Sequence, residues 1–125
     1  MNTPYTGEEA RHVSNILKHY AHAKEKHPYF CDMLLPPSSE WTKENAHGYL
    51  NEFRNSITAQ MQTHRLLWSE LCNCEIAEAE DALINGDTAN AVEELYDTIA
   101  VCLRTIDVLE GRQKLGRPET KGETK

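Results

Sequence analysis

Residues 74–109 read CEIAEAEDALINGDTANAVEELYDTIAVCLRTIDVL. Apolar residues return every three or four positions on both sides of Asn85-Gly86-Asp87, the pattern of two amphipathic helices split by a tight turn. A connection that short makes the two helices antiparallel neighbours. Four acids in this stretch form two pairs, Glu75 with Glu78 and Glu94 with Asp97. Residues three apart on a helix lie on nearly the same face, one turn up. The four carboxylates are therefore expected to converge across one helix–helix seam.

The helical wheel supports that expectation. At about 100° per residue, Met61, His64, Leu67, Trp68, Leu71, Glu75, Glu78, Ala79 and Ala82 fall on one face. Glu75 and Glu78 thus sit inside an apolar stripe, whereas Glu70, Glu80 and Asp81 point elsewhere and are expected to be solvated. The last helix has a broad apolar face of Val92, Leu95, Ile99, Cys102, Leu103, Ile106 and Leu109. Glu94 and Asp97 lie beside it, on a strip that continues through Val101, Thr105 and Val108. A helix apolar nearly all round is expected to be central and covered on both sides. Burying four carboxylates without a counter-charge is costly and drives some to take up protons. A bound divalent cation removes that cost.

The rest of the chain fits an all-α fold. Its 125 residues suffice for one domain with a modest core, and Gly and Pro are sparse within the periodic segments. Residues 1–110 are expected to form a single all-α domain. A first helix is predicted from about Thr6 to Lys26, with Val13, Ile16, Leu17 and Tyr20 on its apolar face. Pro28, Pro36 and Pro37 interrupt helix propagation. Tyr29, Phe30, Met33, Leu34 and Leu35 suggest that the segment between them packs over something. Ser39 or Thr42 caps a second helix reaching about Asn55, with Trp41, Tyr49, Leu50 and Phe53 at buried positions. Between Asn55 and Thr63 this helix either breaks or runs on into a third, which ends near Ile84 with Gly86 as its terminator. Asp87 or Thr88 caps the last helix, with Glu93 and Glu94 near its positive end. The tail, 111–125, is polar and lysine-rich and is expected to be disordered.

Composition excludes several function classes. The formal net charge of −7 disfavours nucleic acid and anionic membrane as partners. No apolar run approaches the length of a membrane span. The start, MNTPYTGEEARHV, lacks the features of a secretory signal, so a cytoplasmic location is expected. Cys31, Cys72, Cys74 and Cys102 form no Cys-x-x-Cys pair and read as reduced thiols.

Carboxylates on two facing helices suit magnesium, which takes hard oxygen ligands and is often shared with substrate phosphates. Such an ion neutralises polyphosphate charge and lowers the pKa of an attacking water. Phosphoryl-type transfer depends mainly on positioning and charge stabilisation, so few other groups are needed. Arg104, seven residues past Asp97, is a candidate phosphate contact. His64 and Trp68 are candidates for lining a base pocket, with Trp68 stacking on the base. Lys18, Lys24 and Arg65 are weaker candidates. The plainer alternatives are chance acid spacing on a good helix former, core or interface packing for His64 and Trp68, and a solvated arginine. A di-iron bundle ranks low, because neither acid pair has a histidine at the required offset. A zinc site of Cys72, Cys74 and His64 ranks lower still, because these residues do not share a face.

Cys74-Glu75-Ile76-Ala77-Glu78, then fifteen residues, then Glu94-Leu95-Tyr96-Asp97 resembles the motif pair of the MazG-like all-α nucleoside triphosphate pyrophosphohydrolases, which are related to the dimeric dUTPases. In that family the pattern is Glu-Glu-x-x-Glu, a spacer, then Glu-x-x-Asp. The similarity spans roughly residues 60 to 110. It implies a four-helix core completed by dimerisation, with tetramers in some members. It implies Mg²⁺-dependent cleavage of a (deoxy)nucleoside triphosphate between the α- and β-phosphates, Mn²⁺ being a substitute ion. Carried over by motif, Glu75, Glu78, Glu94 and Asp97 are the catalytic metal ligands. The chain departs from the family at Cys74, where the first motif glutamate is replaced. That places the water-positioning role and the number of metals in question. A nucleotide-binding protein without catalysis, or an acidic helical interaction protein, is the alternative on the same fold.

Overall fold

A computed structural model of the chain describes residues 6–28 and 33–116. The described residues are all-α: four helices and no strand. They are α1 (Gly7–Lys26), α2 (Lys43–Gln62), α3 (Trp68–Ile84) and α4 (Thr88–Leu109). Tyr29, Phe30, Cys31 and the tail from residue 117 lie outside the described residues, so the expectations placed on them go unaddressed. The chain divides into two compact units, residues 1–34 and 35–125.

The first unit carries α1. Thr6 accepts a hydrogen bond from the Glu9 backbone N–H while the Glu9 carboxylate accepts one from the Thr6 N–H. This reciprocal pair fixes the helix start where the sequence put it. Lys24 lies over the Tyr20 ring, its Nζ 4.4 Å from the centroid. Its fellow candidate Lys18 is exposed on the same helix.

In the second unit α3 is the middle helix, packed against α2 on one side and α4 on the other. Thr42 caps α2 through the Asn45 N–H, and Asp87 caps α4 through the Asn90 N–H. Gly86 takes φ +79° between α3 and α4, a conformation that favours glycine. Leu50, Cys74 and Ala77 are buried together, with Phe53 and Ile57 packed against them. Trp41, Tyr49 and Phe53 form an edge-to-face chain with ring centroids 5.8 and 5.2 Å apart. Of the positions expected to be buried on the second helix, Leu50 is fully buried, Phe53 is half-buried and Tyr49 is exposed, while Trp41, also half-buried, precedes α2.

Three expectations need correction. The α2 helix neither stops at Asn55 nor merges with α3; it runs to Gln62. His64 then takes φ 55°, and the turn is tied back by Gln60, whose carbonyl accepts from the Arg65 N–H and whose side chain accepts from the Leu67 N–H. Met61, His64 and Leu67 are therefore not on the helix that carries Glu75 and Glu78. The central helix is α3, with five buried residues, and not α4, which buries only Ala91 among the described residues. Glu70, Glu80 and Asp81 are half-buried instead of solvated. Both flanks of α3 are covered, so little of its circumference is left for water.

Candidate metal centre

The Asn85–Asp87 turn folds α4 back along α3, and this places the acid pairs opposite each other. One carboxylate oxygen from each of Glu75, Glu78 and Glu94 lies within 4.8 Å of the other two. Two helices supply the three groups, and all three are half-buried. Asp97, one turn along α4 from Glu94, is exposed and outside this tight set. Its charge still reaches the site, raising the pKa of both Glu75 and Glu94.

The protonation equilibria record the crowding. Burial pushes the Glu75 carboxyl above its ordinary range; a hydrogen bond with Glu94 pulls it down, and the Glu78 and Asp97 charges push it up. Burial also raises Glu78, helped by its hydrogen bond with Glu94 and the Glu94 charge, and opposed by Arg54. Glu94 is lowered by its hydrogen bond with Glu78 and raised by that with Glu75, by burial and by the neighbouring charges, with a net upward shift. Like charges held this close favour shared protons or a cation.

Two oxygens decide whether the residues suit a divalent ion. Glu75 Oε2 and Glu94 Oε2 are buried without a hydrogen-bond partner. Buried acceptors are costly to leave unpaired. Hard, anionic oxygens from neighbouring helices are what Mg²⁺ or Mn²⁺ takes as ligands. The donor set therefore fits such an ion, which Glu75, Glu78 and Glu94 would hold, with Asp97 at the margin.

Two features near the acids were not legible from the motifs. Arg54, on α2, places Nε 3.6 Å from Glu78 Oε1. The available signal was an arginine on the strip Leu50–Arg54–Ile57 that faces α3, the mirror image of acids on an apolar face. Cys74, next to Glu75, is buried in the core against Leu50 and Ala77. Its thiol donates to Glu78 Oε1 over 3.8 Å. Burial, with the charges of Glu78 and Glu75, pushes that thiol up to about 11. Cys74 is thus a protonated packing group.

The remaining candidates separate into two places. Trp68 and Arg104 line one shallow groove together with Leu66, Leu71, Val101, Thr105, Val108 and Gln113. The groove continues the acid strip, since Leu71 and Trp68 precede Glu75 by four and seven residues while Val101 and Arg104 follow Asp97 by the same offsets. His64 lines a different pocket, with Met61, Leu66 and Gly116. Arg65 belongs to the exposed turn between α2 and α3.

Comparison with protein-family models, with curated proteins and with solved structures finds no match to this chain.

Proposed function

We propose that this protein is a divalent-metal-dependent nucleoside triphosphate pyrophosphohydrolase. It converts a (deoxy)nucleoside triphosphate into the monophosphate and pyrophosphate, as a nucleotide-pool cleaning enzyme of the cytoplasm. The observation that carries this reading is the convergence of Glu75, Glu78 and Glu94 oxygens within 4.8 Å across the α3–α4 seam, at the spacing of the MazG-like motifs. Glu75, Glu78 and Glu94 hold Mg²⁺, or Mn²⁺ in its place, with Asp97 completing the acidic edge. The ion supplies charge neutralisation for the phosphates and a more acidic bound water. A nucleotide lying along the seam brings its phosphates to the acids and its base toward Trp68, with Arg104 beside it in the same groove.

Further support comes from the exposed apolar face of α4. Val92, Leu95, Tyr96, Ile99, Ile106 and Leu109 are all substantially exposed. A continuous apolar face of this kind marks an interaction surface, and a homodimer or homotetramer covers it. Among the described residues no helix is long and apolar enough to cross a membrane.

The test is pyrophosphate release from a panel of ordinary and modified (deoxy)nucleoside triphosphates, with and without Mg²⁺, alongside Glu75→Ala. Metal-dependent release that the variant loses supports the enzyme. The burial of Cys74 favours one second reading, nucleotide capture without hydrolysis. Equilibrium binding with no product across the panel would select it.

A further inference from the structure

Arg54 stands outside both acid-bearing helices, yet it meets the acid cluster. Its Nε lies 3.6 Å from Glu78 Oε1, the oxygen that also accepts from the Cys74 thiol. The base of the residue is anchored: Leu50, Phe53 and Ile57, four before, one before and three after it, belong to the core around Cys74 and Ala77. Its side chain is not anchored, being 52% exposed against 23% for Glu78. A fixed stem with a half-solvated guanidinium can change partners without disturbing the helix.

Charge decides when it changes. One Glu78 carboxylate cannot serve a guanidinium and a divalent ion equally, because the two cations repel across a few ångströms in a partly desolvated seam. A polyphosphate arriving with the metal adds several negative charges beside the same cluster. Guanidinium pairs with phosphate oxygens through parallel, charge-assisted hydrogen bonds. We propose that Arg54 is an exchangeable counter-cation of this site: it occupies Glu78 in the metal-free protein and moves to the phosphate when a metal–polyphosphate enters. The role rests on the metal-dependent hydrolase proposed above. It adds a residue that competes with the bare ion and selects for ion and phosphate together.

The two halves of this exchange have opposite signs, which makes it testable. Mn²⁺ binding is measured by electron paramagnetic resonance and by calorimetry for the wild type, Arg54→Gln, Arg54→Lys and Glu75→Gln. Each protein is tested alone and with inorganic tripolyphosphate, and thermal melts verify folding. Arg54→Gln is expected to bind Mn²⁺ alone about threefold more tightly, and tripolyphosphate in the presence of Mn²⁺ about tenfold more weakly. Arg54→Lys keeps the charge and is expected to restore most of both. If Arg54→Gln shifts both affinities in the same direction, or neither, Arg54 is a structural ion pair and the exchange is wrong. A wild type that binds no Mn²⁺, or whose binding survives Glu75→Gln, overturns the metal site itself and Arg54's role with it.

Discussion

Glu75 on α3 and Glu94 on α4 bring carboxylate oxygens within 4.8 Å of each other, and each residue has one buried oxygen with no hydrogen-bond partner. Two carboxyl groups from different helices stand close enough that, fully ionised, they repel.

That proximity fixes a pH dependence. Glu75, Glu78 and Glu94 all have folded-state pKa values above the reference 4.5. A raised folded pKa means the native state binds more protons than the unfolded chain, so this stabilisation is complete below 4.5 and is lost as pH rises through the raised values. With chelator present, Tm is expected to fall as pH climbs above 4.5 and through the raised values. Metal binding displaces the same protons, so the increase in Tm produced by Mg²⁺ or Mn²⁺ should grow over that interval. Melting curves at several pH values, with chelator and with metal, check both slopes. A metal effect independent of pH contradicts the site.

Substituting Glu75→Gln keeps the shape and removes one negative charge. The metal-induced rise in Tm should vanish and turnover should drop by about 100-fold or more. The metal-free protein at neutral pH should be no less stable than wild type, because a like-charge contact has been relieved. Paired melts and pyrophosphate assays separate loss of the site from loss of the fold.

Placing a carboxylate at position 74 by Cys74→Glu is expected to harm the protein. The side chain lies in the core with Leu50, Phe53, Ile57 and Ala77, so a carboxylate there costs about 2 kcal/mol or more. Urea unfolding measures the loss, and activity should not rise. The native thiol, raised to about 11, should react with iodoacetamide at neutral pH far more slowly than an unfolded-chain cysteine. Rapid labelling of folded Cys74 would contradict its burial.

Within the proposed nucleotide groove, Trp68→Ala should raise KM by about tenfold through lost stacking. Arg104→Ala should also raise KM, and neither change should shift Tm much, because both side chains are exposed. His64→Gly should behave differently. It leaves the groove intact and relieves a positive φ, so stability should rise by about 0.5 to 1 kcal/mol with KM unchanged. Steady-state kinetics and melts on the three variants decide whether the groove is used.

Local signals carried most of the helix limits. Thr6, Thr42, Gly86 and Asp87 act through neighbours within a few residues, and each stands at an end it helps to set. The seam was legible because the acids interrupt apolar stripes on helices joined by a short turn. The break after Gln62 was hidden, since no Gly or Pro marks it and the left-handed residue is a histidine. The central position of α3 was hidden as well. A helical wheel shows which faces are apolar but not which of them finds a neighbour, and α4 has the larger apolar residues while α3 has the alanines. Arg54 escaped because its partner lies on another helix, with no motif linking the two.

The small residues of this hairpin have one more consequence. Ala79 and Ala82 on α3 and Ala91 on α4 are nearly inaccessible to solvent. Where side chains that short lie between packed helices, backbones rather than adaptable rotamers set the spacing. If the proposed ion binds, the radius it can have would be gauged by methyl groups that never touch it. Enlarging one of them would change metal preference while leaving every ligand in place.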